Sequence, residues 1–395
     1  MFDPTRPHPR FDIRTVTDLA GLEQLRPAWN DLLFSAVRPT VFAAWEWQYL
    51  CAKHMAGGKD IVVLTAYDGE RLAAVLPLHR EKTKLAGVIR SETLACLGGE
   101  ITDYNVLLVR EQYLSTAIPA LAEHLREQDT PLDLRNVLPG TPLHTLSEHL
   151  AGHGFPCAPY ETKTALYAQI GNDYEAFKKG LKKKLRKALN NNQNYMDRTG
   201  GYSYHIEAAD TETLDTLIRL HTNRWQFKGE AGALAQQKIR AFHADLQGLP
   251  GRPFDIRYYT IRHNDRIVSI VYGFVFLNCY YAYLSGLDMA HDRISPGNMV
   301  LNHTIRELIK AGIDGFDMLR GDMHYKQSWA TGAIEMRDVI LLPPTLRGRM
   351  TAAAMKSIMG AKRLIPGSVK RGVKAAMGGS AAPAEQSTMA GGDDE

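Results

Sequence analysis

An α/β fold built from two similar halves is the fold class this sequence predicts, and three observations point to it. A strand–turn–strand pattern at residues 61–67, Asp68-Gly69-Glu70 and 71–79 returns at 256–262, His263-Asn264-Asp265 and 266–277. Apolar, β-branched runs on both sides of a polar turn read as a hairpin. Behind each hairpin the same order follows: strand 105–109, helix 113–128 and strand 132–137, then strand 280–287, helix 296–311 and strand 315–319. Lastly, Asp133-Leu134-Arg135 is echoed by Asp317-Met318-Leu319-Arg320. Strands alternating with helices in one repeated plan give two α/β domains meeting near residue 160.

The remaining elements fit around this repeat. Helices at 18–34 and 46–54 lead the first hairpin, and helices at 174–196, 211–225 and 234–247 lead the second. In the first of these, Phe177, Leu181, Leu185 and Leu189 recur every fourth residue and make one apolar face. Seven of the ten residues from Lys178 to Lys187 are basic. They form either a solvated face or an attractor for a phosphorylated or acidic substrate. The limits are 1–160 for a first domain, 161–345 for a second, and 346–395 for a basic tail with a small, polar end. From Leu346 to Lys374 the tail holds eight basic residues and no acid. It either closes the core as a helix or lies on an anionic membrane surface.

Composition narrows the function classes. A chain of 395 residues suits two domains, and 45% hydrophobic with 23% charged residues is globular. A net charge of +4 does not by itself indicate a nucleic-acid binder. Cys51, Cys96, Cys157 and Cys279 lie far apart, with neither metal nor disulfide spacing, as expected of a reducing compartment. Residues 267–287 carry no charge and are long enough to span a bilayer. Their tyrosines, Gly273 and Asn278 favour two buried strands joined at Leu277-Asn278 instead. The first ten residues are polar and proline-rich, unlike a signal peptide.

The residues 295–329 hold the densest chemistry. Ser295 is placed as an N-cap and Pro296 at the first helical position, where a missing N–H is harmless. Gly297 permits close approach to the backbone, and the free N–H groups with the helix dipole suit an anion such as a pyrophosphate. In the first half Val109-Arg110-Glu111-Gln112 stands at that place, and an acid at a helix start repels phosphate. Tyr325 lies between His324 and Lys326. A neighbouring ammonium makes a phenol a better acid. Equally, Tyr325 and Trp329 form the apolar side of a short helix. Asp317 sits inside a strand, so its carboxylate needs an ion-pair partner or a task, and Asp322, Asp317 and substrate are the candidate partners of Lys326. Asp103 and Tyr104 make a polar point in the first half. His221, Arg224 and Trp225 end a helix, where Arg224 can clamp a carboxylate or phosphate. No residue set has metal-ligand spacing, and no P-loop or nucleophile elbow is present.

The turn Ser295-Pro296-Gly297 opening a helix, then Gly312, Phe316-Asp317, Gly321 and Tyr325-Lys326 with Trp329, resembles the GNAT acetyltransferase superfamily. With His221, Arg224, Trp225 and Trp45-Glu46-Trp47, it is more closely similar to the CelD-like, cellulose-biosynthesis branch, related to Fem-type transferases with two GNAT-like halves. The likeness spans roughly residues 40–340. It implies two tandem domains, each a mixed β-sheet flanked by helices. It further implies acetyl-CoA or another acyl-CoA as co-substrate, held by Leu287, Arg293, Ser295, Pro296, Gly297, Asn298 and Met299, with no metal. Tyr325 falls where many such enzymes place a general acid, with Asp317 and Lys326 beside it. Asp103, Tyr104, His221, Arg224 and Trp225 would meet the acceptor. The usual loop has two small residues, whereas Arg293-Ile294-Ser295-Pro296-Gly297-Asn298 has a single Gly, one place late. The expected function is N-acyl transfer to an amine of an envelope or polysaccharide precursor. That activity would sit in the cytoplasm, with peripheral membrane contact through 346–374 and no DNA partner. Fem-like transfer from aminoacyl-tRNA and a non-catalytic membrane scaffold are the alternatives.

Overall fold

The computed structural model describes residues 11–364 apart from Lys59 and Lys228. The part of the basic tail beyond Leu364, and the stretch after it, lie outside the described residues. The chain divides into two compact units: 11–163 together with 336–364, and Thr164–Glu335.

The first unit is a sheet with helices packed on it. Its strands run in the order β1 (Asp12–Val16), β2 (Ile61–Asp68), β3 (Arg71–Leu85), β4 (Ile89–Cys96), β6 (Leu132–Val137) and β13 (Gly332–Leu341); β5 (Leu108–Val109) pairs with β3. Neighbours are antiparallel except β4 and β6, which are parallel. Helix α1 (Leu19–Ser35) starts where Asp18 accepts a hydrogen bond from the Gly21 N–H at 2.7 Å, a side-chain cap at an otherwise unsatisfied helix start. It is followed by α2 (Trp45–Leu50), α3 (Leu114–Glu127) and α4 (Pro142–Gly152). Leu121, Leu125, Leu146 and Leu150 pack against Leu64, Leu76, Leu94 and Leu134. Each buried leucine contributes about 1.5–3 kcal/mol.

The second unit repeats this plan. Its order is β8 (Tyr202–Glu207), β9 (Asp255–His263), β10 (Arg266–Phe276), β11 (Cys279–Leu287), β12 (Gly315–Arg320) and β7 (Cys157–Gln169), again with one parallel pair, β11 and β12. Helices α5 (Tyr174–Gly180), α6 (Lys183–Thr199), α7 (Thr211–Phe227), α8 (Gln237–Gly248), α9 (Pro296–Lys310) and α10 (His324–Trp329) surround it. Leu185, Leu189 and Met196 of α6 share a core with Met299, Ile305 and Leu308 of α9 and with Tyr259, Ile261 and Phe316 of the strands. The uncharged run 267–287 is the hairpin β10–β11, turned at Leu277 with φ +52°. Among the described residues no helix is long and apolar enough to cross a membrane.

Several expectations need correction. The first-unit equivalent of β11 is β4, not 105–109, since β4 and β11 are the strands with parallel partners. Residues 89–92 are partly or fully exposed, so that half of β4 carries Arg90, Ser91 and Glu92 and hides its strand character. The expected helix over 174–196 is two helices. Gly180 ends α5 and Leu181 is extended, yet Leu181, Leu185 and Leu189 are all buried as their spacing required. Residues 336–341, expected in the second half, pair with β6 and belong to the first unit.

The repeat is also offset by one residue from its sequence appearance. On β6, three steps from Leu134 to Val137 match two on β13, from Val339 to Arg337. On β12, three steps from Asp317 to Arg320 match two on β7, from Tyr167 to Ala165. Inside each bulge one residue is left-handed: Asn136 at φ +51° and Leu319 at φ +60°. Leu134, not Asp133, is therefore the counterpart of Asp317. An offset of one places a side chain on the opposite face of the sheet.

Candidate active site

The bulge in β12 is where the second unit departs from a plain sheet. A leucine at φ +60° is costly, of order 1–3 kcal/mol, and persists only where its surroundings enforce it. Asp317 does so, accepting a hydrogen bond from the Leu319 N–H at 2.7 Å. The buried carboxylate thus has a task in shaping the backbone.

The bulge has a consequence for β11. The parallel ladder holds three pairs, Cys279 with Gly315, Tyr280 with Phe316 and Tyr281 with Asp317, and stops where the bulge begins. Strand β11 continues along β10 to Leu287. The Asp288 N–H donates to the Val268 carbonyl at 2.8 Å. Antiparallel pairing alternates, so at Leu287, opposite Ser269, and at Ser285, opposite Val271, the backbone N–H and C=O turn away from β10. They face the side on which β12 has stopped pairing. An extended chain with amide groups finds ladder partners along such an edge.

Helix α9 begins close to the end of that edge. A short 3-10 segment, Met289–Ile294, leads to Ser295, which holds the expected N-cap position but is left-handed at φ +47° and makes no side-chain capping bond. Pro296 stands at the helix start as expected, its carbonyl accepting a hydrogen bond from the Ser269 hydroxyl at 3.1 Å. Gly297 is buried in this packed start and Asn298 is half-buried. The first turn of α9 contains no acid. Its early N–H groups lack intrahelical partners, so this donor set suits a pyrophosphate. Asn298 Oδ1 accepts from Trp329 Nε1 at 3.0 Å, tying α10 to the start of α9. Arg293 is exposed, with its guanidinium 4.7 Å from the Tyr195 ring centre. The Met299 side chain is core, so at most its backbone can serve a ligand.

Helix α10 carries Tyr325 half-buried beside Trp329 and Lys326 fully buried. Lys326 Nζ donates to the Arg320 carbonyl, which fixes the turn after β12. Arg224 lies within electrostatic reach of Tyr325: burial pushes its guanidinium pKa down and Tyr325 pushes it back up. Arg224 is 2% exposed at the end of α7. One turn earlier, His221 Nε2 accepts from Trp225 Nε1 at 3.0 Å. Burial, and then Arg224, push the His221 pKa down to about 3, so the ring is neutral. Its Nδ1 has no hydrogen-bond partner among the described residues.

A β-carbon on Gly286 would lie 2.6 Å from Leu220 Cβ and 3.0 Å from the His221 nitrogen. Only glycine lets α7 sit this close to β11. Beside Gly286, the buried Ser285 hydroxyl also lacks a partner among the described residues. On α8, His243 Nδ1 meets the Tyr272 hydroxyl at 3.1 Å, while Nε2 is unpartnered among the described residues and burial lowers the pKa to about 3. Such buried orphan polar atoms at the end of an open strand edge mark a place for water or a polar ligand.

The second unit thus brings together the Ser295–Met299 turn, Leu287, Asp317, Tyr325, Lys326, His221, Arg224 and Trp225. Asp103 and Tyr104 belong to the first unit, buried, with the Tyr104 ring edge-on to Phe42 at 5.8 Å. The sequence reading missed Ser285, His243 and Gly232. The last has φ +70°, and a β-carbon there would lie 2.7 Å from Trp225 and 2.9 Å from His221. The glycine in Gly229-Glu230-Ala231-Gly232 was the available signal; nothing distinguished Ser285 or His243 within apolar runs. Burial raises the Cys51 and Cys96 thiols, Cys96 to about 12, so neither is a nucleophile. Among the described residues no group could hold a metal ion.

Residues 183–327, from α6 into α10, match the Acetyltransferase (GNAT) domain family, which marks this part of the chain as acyltransferase-like. The chain's fold is that of FemX, at a TM-score of 0.60 and 10% identity over 86% of this chain and 100% of that one. It is also similar to the DUF2156 C-terminal domain of a protein assigned as a lysylphosphatidylglycerol synthetase from Agrobacterium fabrum, at a TM-score of 0.51 and 12% identity over 88% and 98% of the two chains. L-PGS from Bacillus licheniformis gives 0.50 and 10% over 84% and 96%. Among curated proteins none matches the chain.

Proposed function

We propose that this protein is an acyl-CoA-dependent N-acyltransferase, acetyl-CoA being the first donor to test, of the CelD-like branch. Its acceptor would be an amine on an envelope or polysaccharide precursor. The observation that carries the reading is the β11–β12 ladder ending after three pairs within a matched GNAT domain, with the start of α9 just beyond. A bound acyl-CoA supplies an activated thioester. The chain's residues bind and orient it: the backbone of Ser285 and Leu287 pairs with the amide-bearing arm, and the Gly297 and Asn298 N–H groups hold the phosphates. The Leu287 N–H would stabilise developing negative charge on an acyl oxygen. Tyr325 Oη is the proton donor to the leaving sulfur. Arg224 would orient the phenol and the acceptor. His221 Nδ1, neutral and unpartnered among the described residues, can accept a hydrogen bond from the acceptor amine.

A second reading, aminoacyl transfer from tRNA, is favoured by the fold likeness to FemX and by the seven basic residues between Lys178 and Lys187. The two are separated by incubating the protein with amino-sugar acceptors and either radiolabelled acyl-CoA thioesters or charged tRNA. Label transfer from acyl-CoA alone supports the proposal. Transfer from charged tRNA alone replaces it with the Fem-like reading.

A further inference from the structure

We propose that the first unit carries a docking surface for anionic phospholipid membranes, built from the β3–β4 hairpin and the start of α11 (Leu346–Leu364). The hairpin turns through Ala86 at φ +49° and Gly87 at φ +81°. Its strands pair Lys84 with Arg90 and Lys82 with Glu92. Residues directly opposite, and two apart along a strand, share one face, so Lys82, Lys84 and Arg90 lie together on it. Two like charges facing each other across a ladder destabilise the hairpin. Arg347 of α11 joins them around an open notch of about 670 Å³ whose other lining residues are Thr83, Ser91 and Glu92. None of Lys82, Lys84, Arg90 and Arg347 is in an ion pair recorded among the described residues.

The apolar residues of this surface point to the same partner independently of its charges. Helix α11 is fixed to the hairpin by Ala352 and Met355, which pack with Leu85, Ala86, Ile340 and Leu342. That packing holds the two elements as one surface. On it Val88 at the hairpin tip is 59% exposed, Leu346 76% and Met350 66%. Leu346 and Met350 are one helical turn apart and share a side of the helix, with Arg347 and Arg349 beside them. Exposed large apolar residues ringed by unpaired cations match an interface of acyl chains and anionic headgroups. A nucleic acid would use the cations but not Val88, Leu346 and Met350, so the membrane is the partner that both sets of residues fit. The headgroup phosphate belongs in the notch.

Co-sedimentation of the full-length protein tests this, using phosphatidylcholine vesicles with and without phosphatidylglycerol. We expect binding only with phosphatidylglycerol, released by high salt. Lys84→Glu should weaken it at least tenfold while the melting temperature holds or rises, because the new carboxylate pairs with Arg90. Leu346→Asn with Met350→Asn should weaken it comparably through the apolar contact alone. Equal binding to both vesicle types, or an unchanged Lys84→Glu protein, would overturn the proposal. So would full competition by millimolar inorganic phosphate, which would make the notch a site for free phosphate. Loss of tRNA binding rather than vesicle binding in Lys84→Glu would assign the surface to nucleic acid.

Discussion

Tyr325 and Asp317 have different tasks in the proposed reaction, and single substitutions separate them. Tyr325→Phe keeps the ring against Trp329 and removes only the hydroxyl. General acid catalysis is worth about 10²–10⁴ in rate, so kcat should fall by that much with the melting temperature unchanged. A fully active Tyr325→Phe would leave Tyr325 as packing alone. Asp317 acts through the backbone, since its carboxylate holds the Leu319 N–H inside the bulge. Asp317→Ala should cost about 1–3 kcal/mol of stability in chemical denaturation, because a left-handed leucine loses what enforces it. Both residues were legible in the sequence as types worth notice. Their tasks were not, because the deciding partners, Arg224 and the Leu319 N–H, are set by the fold and by a bulge that no residue pattern announces. Lys326 shows the same limit. Its position beside Tyr325 suggested acid–base help, whereas the bond its ammonium donates to the Arg320 carbonyl could not be read from the sequence.

Helices α7 and α8 bring two neutral histidines under the strands. His221 and His243 both have pKa values pushed down to about 3, chiefly by burial. An unfolded histidine titrates near 6.5, so below that pH the unfolded chain binds protons that the folded one refuses. Stability should therefore be full above about pH 6.5 and fall as pH drops toward 3, by up to about 1.4 kcal/mol per pH unit for each ring. Denaturation at stepped pH should show this acid slope, and His243→Gln should flatten it; an unchanged slope would mean His243 is protonated in the fold. The loop after α7 is held by Gly232, where a β-carbon would strike Trp225 at 2.7 Å. Gly232→Ala should destabilise the protein by about 1–3 kcal/mol and lower kcat/KM, since it displaces the Trp225–His221 pair. At this scale the sequence was most readable where periodicity was strong. β2, β9, β10, β11, α3, α9 and β12 lie close to their expected limits. The strands it hid, β1, β4, β7, β8 and β13, expose a large share of their side chains, so their apolar alternation is broken.

Both units share one plan, a sheet with a single parallel pair and a bulge beside it, yet among the described residues only the second has an acid-free helix start behind its parallel strand. At the matching place in the first unit the exposed Glu111 opens a 3-10 turn, Glu111–Tyr113, before α3 begins at Leu114 without a side-chain cap. An acid there opposes a phosphate. The sequence showed this asymmetry, since both helix starts could be read directly; it could not show that the β11–β12 ladder stops after three pairs. Calorimetric titration with CoA, on the wild type and on Asn298→Asp, tests the central claim most directly. The aspartate keeps an oxygen for Trp329 Nε1 and suits a helix start, so the fold should be as stable as before or gain about 0.3–1 kcal/mol. It also puts negative charge where the proposal seats the pyrophosphate. The wild type should bind one CoA per chain, and Asn298→Asp should bind at least tenfold more weakly, about 1.4 kcal/mol. No binding by the wild type, two sites per chain, or an unchanged Kd in Asn298→Asp would contradict the account.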